Sequence, residues 1–279
     1  MNDSVSEDGT GGRVRGTGTP GLFSLFVRLA LLPVGAFPKT FFTALSIALL
    51  MDTGLPDPAQ EPGRAALFLA GSLVPTILLA VMPAGPVGSV LLADVGRPAT
   101  SFLALLRAAL RGTFLQLLVM LLALFLWALA VGYAGVYAVE RFDADFEETA
   151  ETIETSVHLF GGMTFVVFVA ASALTMIDVQ FGGPPTLTRS FLLLRRAPLL
   201  GILAGLFGFL PGAAAGAATH GAGLLLGVGP EPLEIAAMTV GLSVGAWTVT
   251  AAMFAHYRLL FGPWGADVPD AKPERRAGR

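Results

Sequence analysis

The sequence predicts an all-α fold: a polytopic integral membrane bundle of six transmembrane helices. It further predicts three internal repeats, each an interfacial amphipathic helix followed by two spans. Three observations lead there. Of the 279 residues, 54% are apolar and only 13% charged, whereas a water-soluble domain carries about 25% charged residues. Long uncharged runs recur along the chain. A short amphipathic phrase is written twice, as SFLALLRAALRG from Ser101 and SFLLLRRAPLLG from Ser190, with eight of twelve letters the same.

The spans come first. A hydrocarbon core of ~30 Å takes about 20 helical residues to cross. Ala65 to Ala93, Thr113 to Val139, Thr155 to Ile177, Ala197 to Pro230 and Ile235 to Tyr257 hold no formal charge and reach that length. In lipid a backbone must satisfy its own hydrogen bonds, and Leu/Ala-rich runs of this length do so as helices. A sixth span from about Val34 to Met51 contains Lys39 near one end, where a long amine can reach the headgroups.

Orientation follows from lysine and arginine, because cationic loops stay on the cytoplasmic side. With the N-terminus inside, fifteen of the 17 Lys and Arg residues are inside and only Arg64 and Arg141 outside. An even number of spans then puts both termini in the cytoplasm, with the cell membrane as the expected location. Arg28 interrupts the LFSLFVRLALL stretch, which argues against its removal as a signal peptide. Residues 1–20, polar and Gly/Ser/Thr-rich, and residues 263–279 are expected to be disordered cytoplasmic tails flanking a membrane domain of residues 21–262.

Both copies of the repeated phrase lie on the cytoplasmic side just before a span. On a helix, Thr100, Ala104, Arg107 and Arg111 share one stripe, and Leu103, Leu106 and Leu110 another. Arg189 and Arg196, seven apart, repeat the arrangement. Such helices lie in the interface with arginines toward phosphates, so Arg107, Arg111, Arg195 and Arg196 are candidate headgroup contacts. A weaker third copy, in which Phe23, Arg28, Ala30 and Leu31 match Phe102, Arg107, Ala109 and Leu110, opens the membrane region. The repeats therefore run over about 22–95, 99–180 and 186–262.

The inward-running spans also rhyme. LLADVGRPATSF and TMIDVQFGGPPTLTRSF each set an aspartate, Asp94 or Asp178, at the membrane exit before a Gly/Pro turn and Ser-Phe. The third unit ends AHYRLLFG, with His256 and Tyr257 at the corresponding depth. Six spans, cytoplasmic amphipathic helices and the Gly96-Arg97-Pro98 turn before a Ser-Phe-Leu helix resemble a family of uncharacterised prokaryotic membrane proteins. That family is similar to the membrane domain beside some glycerophosphodiester phosphodiesterases. The resemblance covers roughly Leu22 to Gly262; the soluble catalytic domain is absent, so it implies no catalytic residue here.

Asp94 and Asp178 are candidate polar membrane sites, as proton or cation carriers. The structural alternative is a turn acceptor or the partner of an arginine such as Arg107 or Arg195. His220 extends a small-residue stripe of Gly201, Gly205, Gly208, Gly212 and Gly216, a face that lets helices approach closely. Its imidazole is expected to meet a neighbouring helix or to titrate; His256 is the other candidate. Pro211 in a run of 34 residues, and Pro75, Pro83 and Pro86 in the second span, predict tilted, kinked or broken helices.

The loop ERFDADFEETAETIETSV has seven carboxylates and one arginine. Asp143, Asp145, Glu147, Glu151 and Glu154 fall at calcium-loop spacing, but Glu148 stands where the sharp turn needs glycine. An amphipathic helix with Phe142, Phe146, Ala150, Ile153 and Val157 on one stripe explains the run better. With no cysteine in the chain, disulfides, thiolate metal sites and cysteine nucleophiles are excluded. No triad, phosphate loop or paired-histidine motif occurs in a credible context, so no metal or cofactor is expected and the balance leans away from an enzyme. A net charge of −3 offers no face for nucleic acid.

Two function classes follow. The leading one is a non-enzymatic protein that organises membrane or partner subunits, with the bilayer, a membrane-protein partner or a second copy as its contacts. The other is a transporter for a small solute, using the interrupted helices with His220 at mid-depth. An intramembrane enzyme acting on lipid ranks third.

Overall fold

The computed structural model describes residues 21–53, 61–142, 145–183 and 198–261. The two tails, and the second phrase from Ser190 to Ala197 with Arg195 and Arg196, lie outside the described residues. Helices in chain order are α1 (Leu22–Leu31), a 3-10 turn (Val34–Ala36), α2 (Phe37–Asp52), α3 (Pro62–Val81), α4 (Ala84–Asp94) and α5 (Phe102–Arg111). They continue with α6 (Thr113–Phe142), α7 (Phe146–Gln180), α8 (Pro198–Leu225) and α9 (Pro230–Phe261). There is no strand among the described residues. Six segments are long and apolar enough to cross a membrane: Val34–Asp52, Gly71–Asp94, Phe102–Arg141, Phe146–Gln180, Gly201–Leu225 and Pro230–Leu260. They coincide with the six predicted spans. Lys39 is exposed in the first turn of α2.

The helix boundaries have local causes. The Ser101 side chain accepts the Ala104 N–H and starts α5; Asp145 accepts from Glu148 N–H at 2.9 Å and starts α7. Asp145 is thereby engaged as an N-cap, and the acidic run continues as helix. Three helices stop on a glycine with positive φ: Gly96 (67°), Gly182 (95°) and Gly227 (69°). After each glycine a backbone N–H reaches back five residues, Arg97 to Leu92 O, Gly183 to Asp178 O and Val228 to Gly223 O.

The second span divides at Met82–Pro83 into α3 and α4, as its prolines predict, since neither Pro83 nor Pro86 can donate to the helix ladder. The fifth span is one helix rather than a broken pair. Pro211 lies inside α8 without ending it, and the helix stops at Leu225, short of the end of the 34-residue run, with Gly227 in the turn to α9.

The last helix is the hub. α9 packs on α8, α2, α1, α7, α4 and α3, and Trp247, Phe254 and Tyr257 are buried in it. α8 meets it through glycines: a Cβ on Gly208 would lie 2.7 Å from Val249 Cα, and one on Gly212 2.7 Å from Gly241 O. Such close backbone approach replaces large side chains as the source of packing in lipid. α6, in contrast, packs on α7 and α5 and leaves much of its apolar surface exposed, including Leu122, Phe125 and Leu129.

Candidate functional site

The polar side chains of the spans gather toward the end of the bundle that carries α1 and α5. At the end of α7, Asp178 is 2% exposed and accepts a hydrogen bond from Tyr257 Oη of α9 at 3.1 Å. The Tyr257 ring stacks on Phe181. A side chain on Gly183 would overlap the Asp178 carboxylate, so the glycine that follows the turn makes room for the acid. His256, next to Tyr257, is buried as well.

Two glutamines extend this polar layer. Gln180 Nε2 donates to Ala84 O at 2.9 Å, the first residue of α4 after the break; Gly88 leaves the space its amide occupies. On the other side of α7, Gln116 of α6 donates to Thr175 Oγ1 at 2.8 Å and accepts from Ser172 Oγ at 3.1 Å. Buried amides of this kind must be paired, because desolvation of an unmade hydrogen bond costs about 1–3 kcal/mol. α7 is thus tied to α4, α6 and α9 by side chains within three turns.

Asp94 is more open. It pairs with Arg28 Nη2 at 2.6 Å, which joins the end of α4 to α1. The partner is the arginine of the first amphipathic helix, not Arg107. The turn after Asp94 is closed by backbone donors, so its carboxylate is not needed there. α1 is fixed from a second direction: Trp247 Nε1 donates to Ala30 O at 2.9 Å, filling one of the carbonyls a helix C-terminus leaves unpaired.

α5 has three sides. Leu105, Ala108 and Ala109 are buried against the bundle, Leu103 and Leu110 are exposed, and Arg107 and Arg111 are exposed beside them. Its buried side is a third surface, distinct from both the leucine and the arginine stripes that the sequence suggested.

His220 lies on the outside of α8, exposed, five residues before the helix ends. Steps of four residues turn a face by ~40° each time, so a stripe through Gly208, Gly212 and Gly216 leaves the contact by residue 220. The α8–α9 contact continues at Gly223, against Leu233. The imidazole is therefore on an exposed face near the end of α8, not on the helix contact that the glycine stripe suggested. Among the described residues no three His, Asp or Glu side chains come together as a metal-binding group.

No protein family, curated protein or solved structure matches this chain. The functional reading therefore rests on its own residues.

Proposed function

We propose that the protein is a non-enzymatic, multi-pass organiser of the cell membrane, with both termini in the cytoplasm and the arginines of its amphipathic helices on anionic lipid headgroups. The observation that carries the reading is the three-sided α5. One helix buries Leu105, Ala108 and Ala109 against the bundle and exposes Leu103 and Leu110 on one side and Arg107 and Arg111 on another, the pattern of a helix lying between hydrocarbon and phosphates. Gln116, Ser172, Thr175, Asp178, Gln180 and Tyr257 are engaged in hydrogen bonds between helices, which supports holding rather than chemistry as their task.

The three-repeat organisation belongs to the same proposal. It is supported by α1 and α5 each standing before a pair of spans, and by the glycine turns that close the first two units after α4 and α7. So does the likeness to the membrane domain beside glycerophosphodiester phosphodiesterases. The even span number and the fifteen-to-two distribution of Lys and Arg support the orientation.

The test is lipid retention. Purified in detergent from membranes rich in phosphatidylglycerol, the protein should carry more of that lipid than R107Q/R111Q does, by quantitative lipid extraction or native mass spectrometry. Equal retention contradicts the reading.

Transport of a small solute is the second reading, supported by the α3–α4 break and the Gln180 amide beside it. Solute uptake by reconstituted vesicles that disappears in Q180L would favour it over the first.

A further inference from the structure

The end of the bundle opposite α5 carries a different kind of surface. α6 is 30 residues long and α7 35, lengths of about 45 and 52 Å. Measured from Thr113 beside α5, ~30 Å of hydrocarbon ends near residue 133. The hairpin of α6 and α7 therefore stands beyond the lipid tails at its tip. There the two helices form a cleft of about 430 Å³. Its walls are Val136, Val139, Phe146, Ala150 and Ile153, and Glu140 and Glu154 stand at its edge.

Exposed apolar surface at membrane depth is covered by lipid and calls for no partner. This cleft lies above that depth, and Phe146 is 73% exposed there. Exposed apolar surface outside hydrocarbon marks a place where something docks. The charge around it selects what. Glu140, Asp145, Glu147, Glu148, Glu151 and Glu154 stand against Arg141 among the described residues of the tip, all exposed. A second copy would bring the same negative charge and be repelled, as would an anionic headgroup.

We infer that the α6–α7 tip docks a cationic amphipathic polypeptide segment, its apolar side chains in the cleft and its Lys or Arg side chains on the rim carboxylates. The volume suits one or two large aliphatic or aromatic anchors at i and i+3 or i+4 spacing. The depth of the tip rests on the interfacial placement of α5 proposed above, but its test does not involve the α5 arginines, so either reading can fail without the other.

The experiment is peptide selection. Full-length protein in phosphatidylcholine nanodiscs is presented to a phage-displayed random peptide library, after depletion on nanodiscs carrying A150W, which fills the cleft from an exposed helix position. Recovered peptides should combine apolar residues at helical spacing with Lys or Arg. The consensus peptide, measured by fluorescence anisotropy, should bind A150W at least tenfold more weakly. It should also lose several-fold affinity in E140Q/E154Q and with rising salt. Acidic or uncharged consensus sequences, or none above empty nanodiscs, overturn the inference. Self-association of the protein that A150W abolishes also overturns it, in favour of a second copy. Each variant is first required to elute as the parent does in size-exclusion chromatography; T149W, at an adjoining cleft position, replaces A150W if that one fails.

Discussion

Tyr257 donates a hydrogen bond to Asp178 across the buried contact of α9 and α7, at 3.1 Å. The pair joins the last span to the fourth, 79 residues earlier, at the end of the bundle where α1 and α5 also pack. An aspartate there is held by donors and by the space Gly183 leaves, a structural use of an intramembrane acid.

Removing the hydroxyl tests that use. Y257F keeps the ring on Phe181 but removes a donor to a buried carboxylate, and should cost about 1–3 kcal/mol. Thermal unfolding in detergent, followed by tryptophan fluorescence, should show a lower midpoint. D178N retains an acceptor for Tyr257 and should lose less. An unchanged midpoint in Y257F contradicts the role.

Glycines that meet backbone should differ from those that meet open space. A leucine at Gly212 would press on Gly241 and Gly245, whereas Gly221 has nothing near its missing Cβ. G212L should destabilise by about 1–3 kcal/mol or more. G221A, at a helix interior, should be neutral or slightly stabilising. Monodispersity of a fluorescent fusion after heating separates the two. Equal tolerance of both changes would argue against the α8–α9 contact.

The Trp247 indole caps α1 through Ala30 O. W247F keeps an aromatic ring beside Phe37 but removes the N–H and part of a buried side chain, so about 1–3 kcal/mol should be lost. The site-specific readout is proteolysis between α1 and α2, which should be faster in W247F. A cleavage rate equal to the parent's would show that the cap contributes nothing.

The Arg28–Asp94 pair is partly exposed, with 47% and 24% of the two side chains accessible. Exposed pairs contribute ~0–1 kcal/mol. R28D and D94R should each be mildly destabilising, and the double exchange should recover part of the loss. Additive losses would mean that the two charges act independently.

How far the sequence could be read follows from what lipid does to patterns. Uncharged runs located five of the six spans, because charge is what hydrocarbon excludes; the remaining one, with Lys39 near its end, was read from its apolar length. The Gly96-Arg97-Pro98 turn before Ser-Phe-Leu marked where α5 begins, and the glycine stripe announced the α8 contact as far as Gly216. Which face of each span turns inward was not legible. In water a polar face marks the outside, but in lipid the outside is apolar too, so the exposed leucines of α6 carry no polar mark to set them apart from a core. Contacts such as Trp247–Ala30, 217 residues apart, and Gln180–Ala84 have no periodic signature. His220 was misplaced by treating an i, i+4 series as straight, when its face rotates along the helix. Asp178 was recognisable from its rhyme with Asp94, yet their partners, Tyr257 and Arg28, come from different helices and were visible only once the bundle was assembled.

The claim on which the rest depends is that six helices cross one bilayer and return both chain ends to the same side. Since the chain has no cysteine, single cysteines report position cleanly. Intact cells treated with a membrane-impermeant maleimide should label E151C, at the α6–α7 tip, and leave S6C and A277C unlabelled until the cells are opened. Labelling of one terminal cysteine but not the other in intact cells would contradict the account.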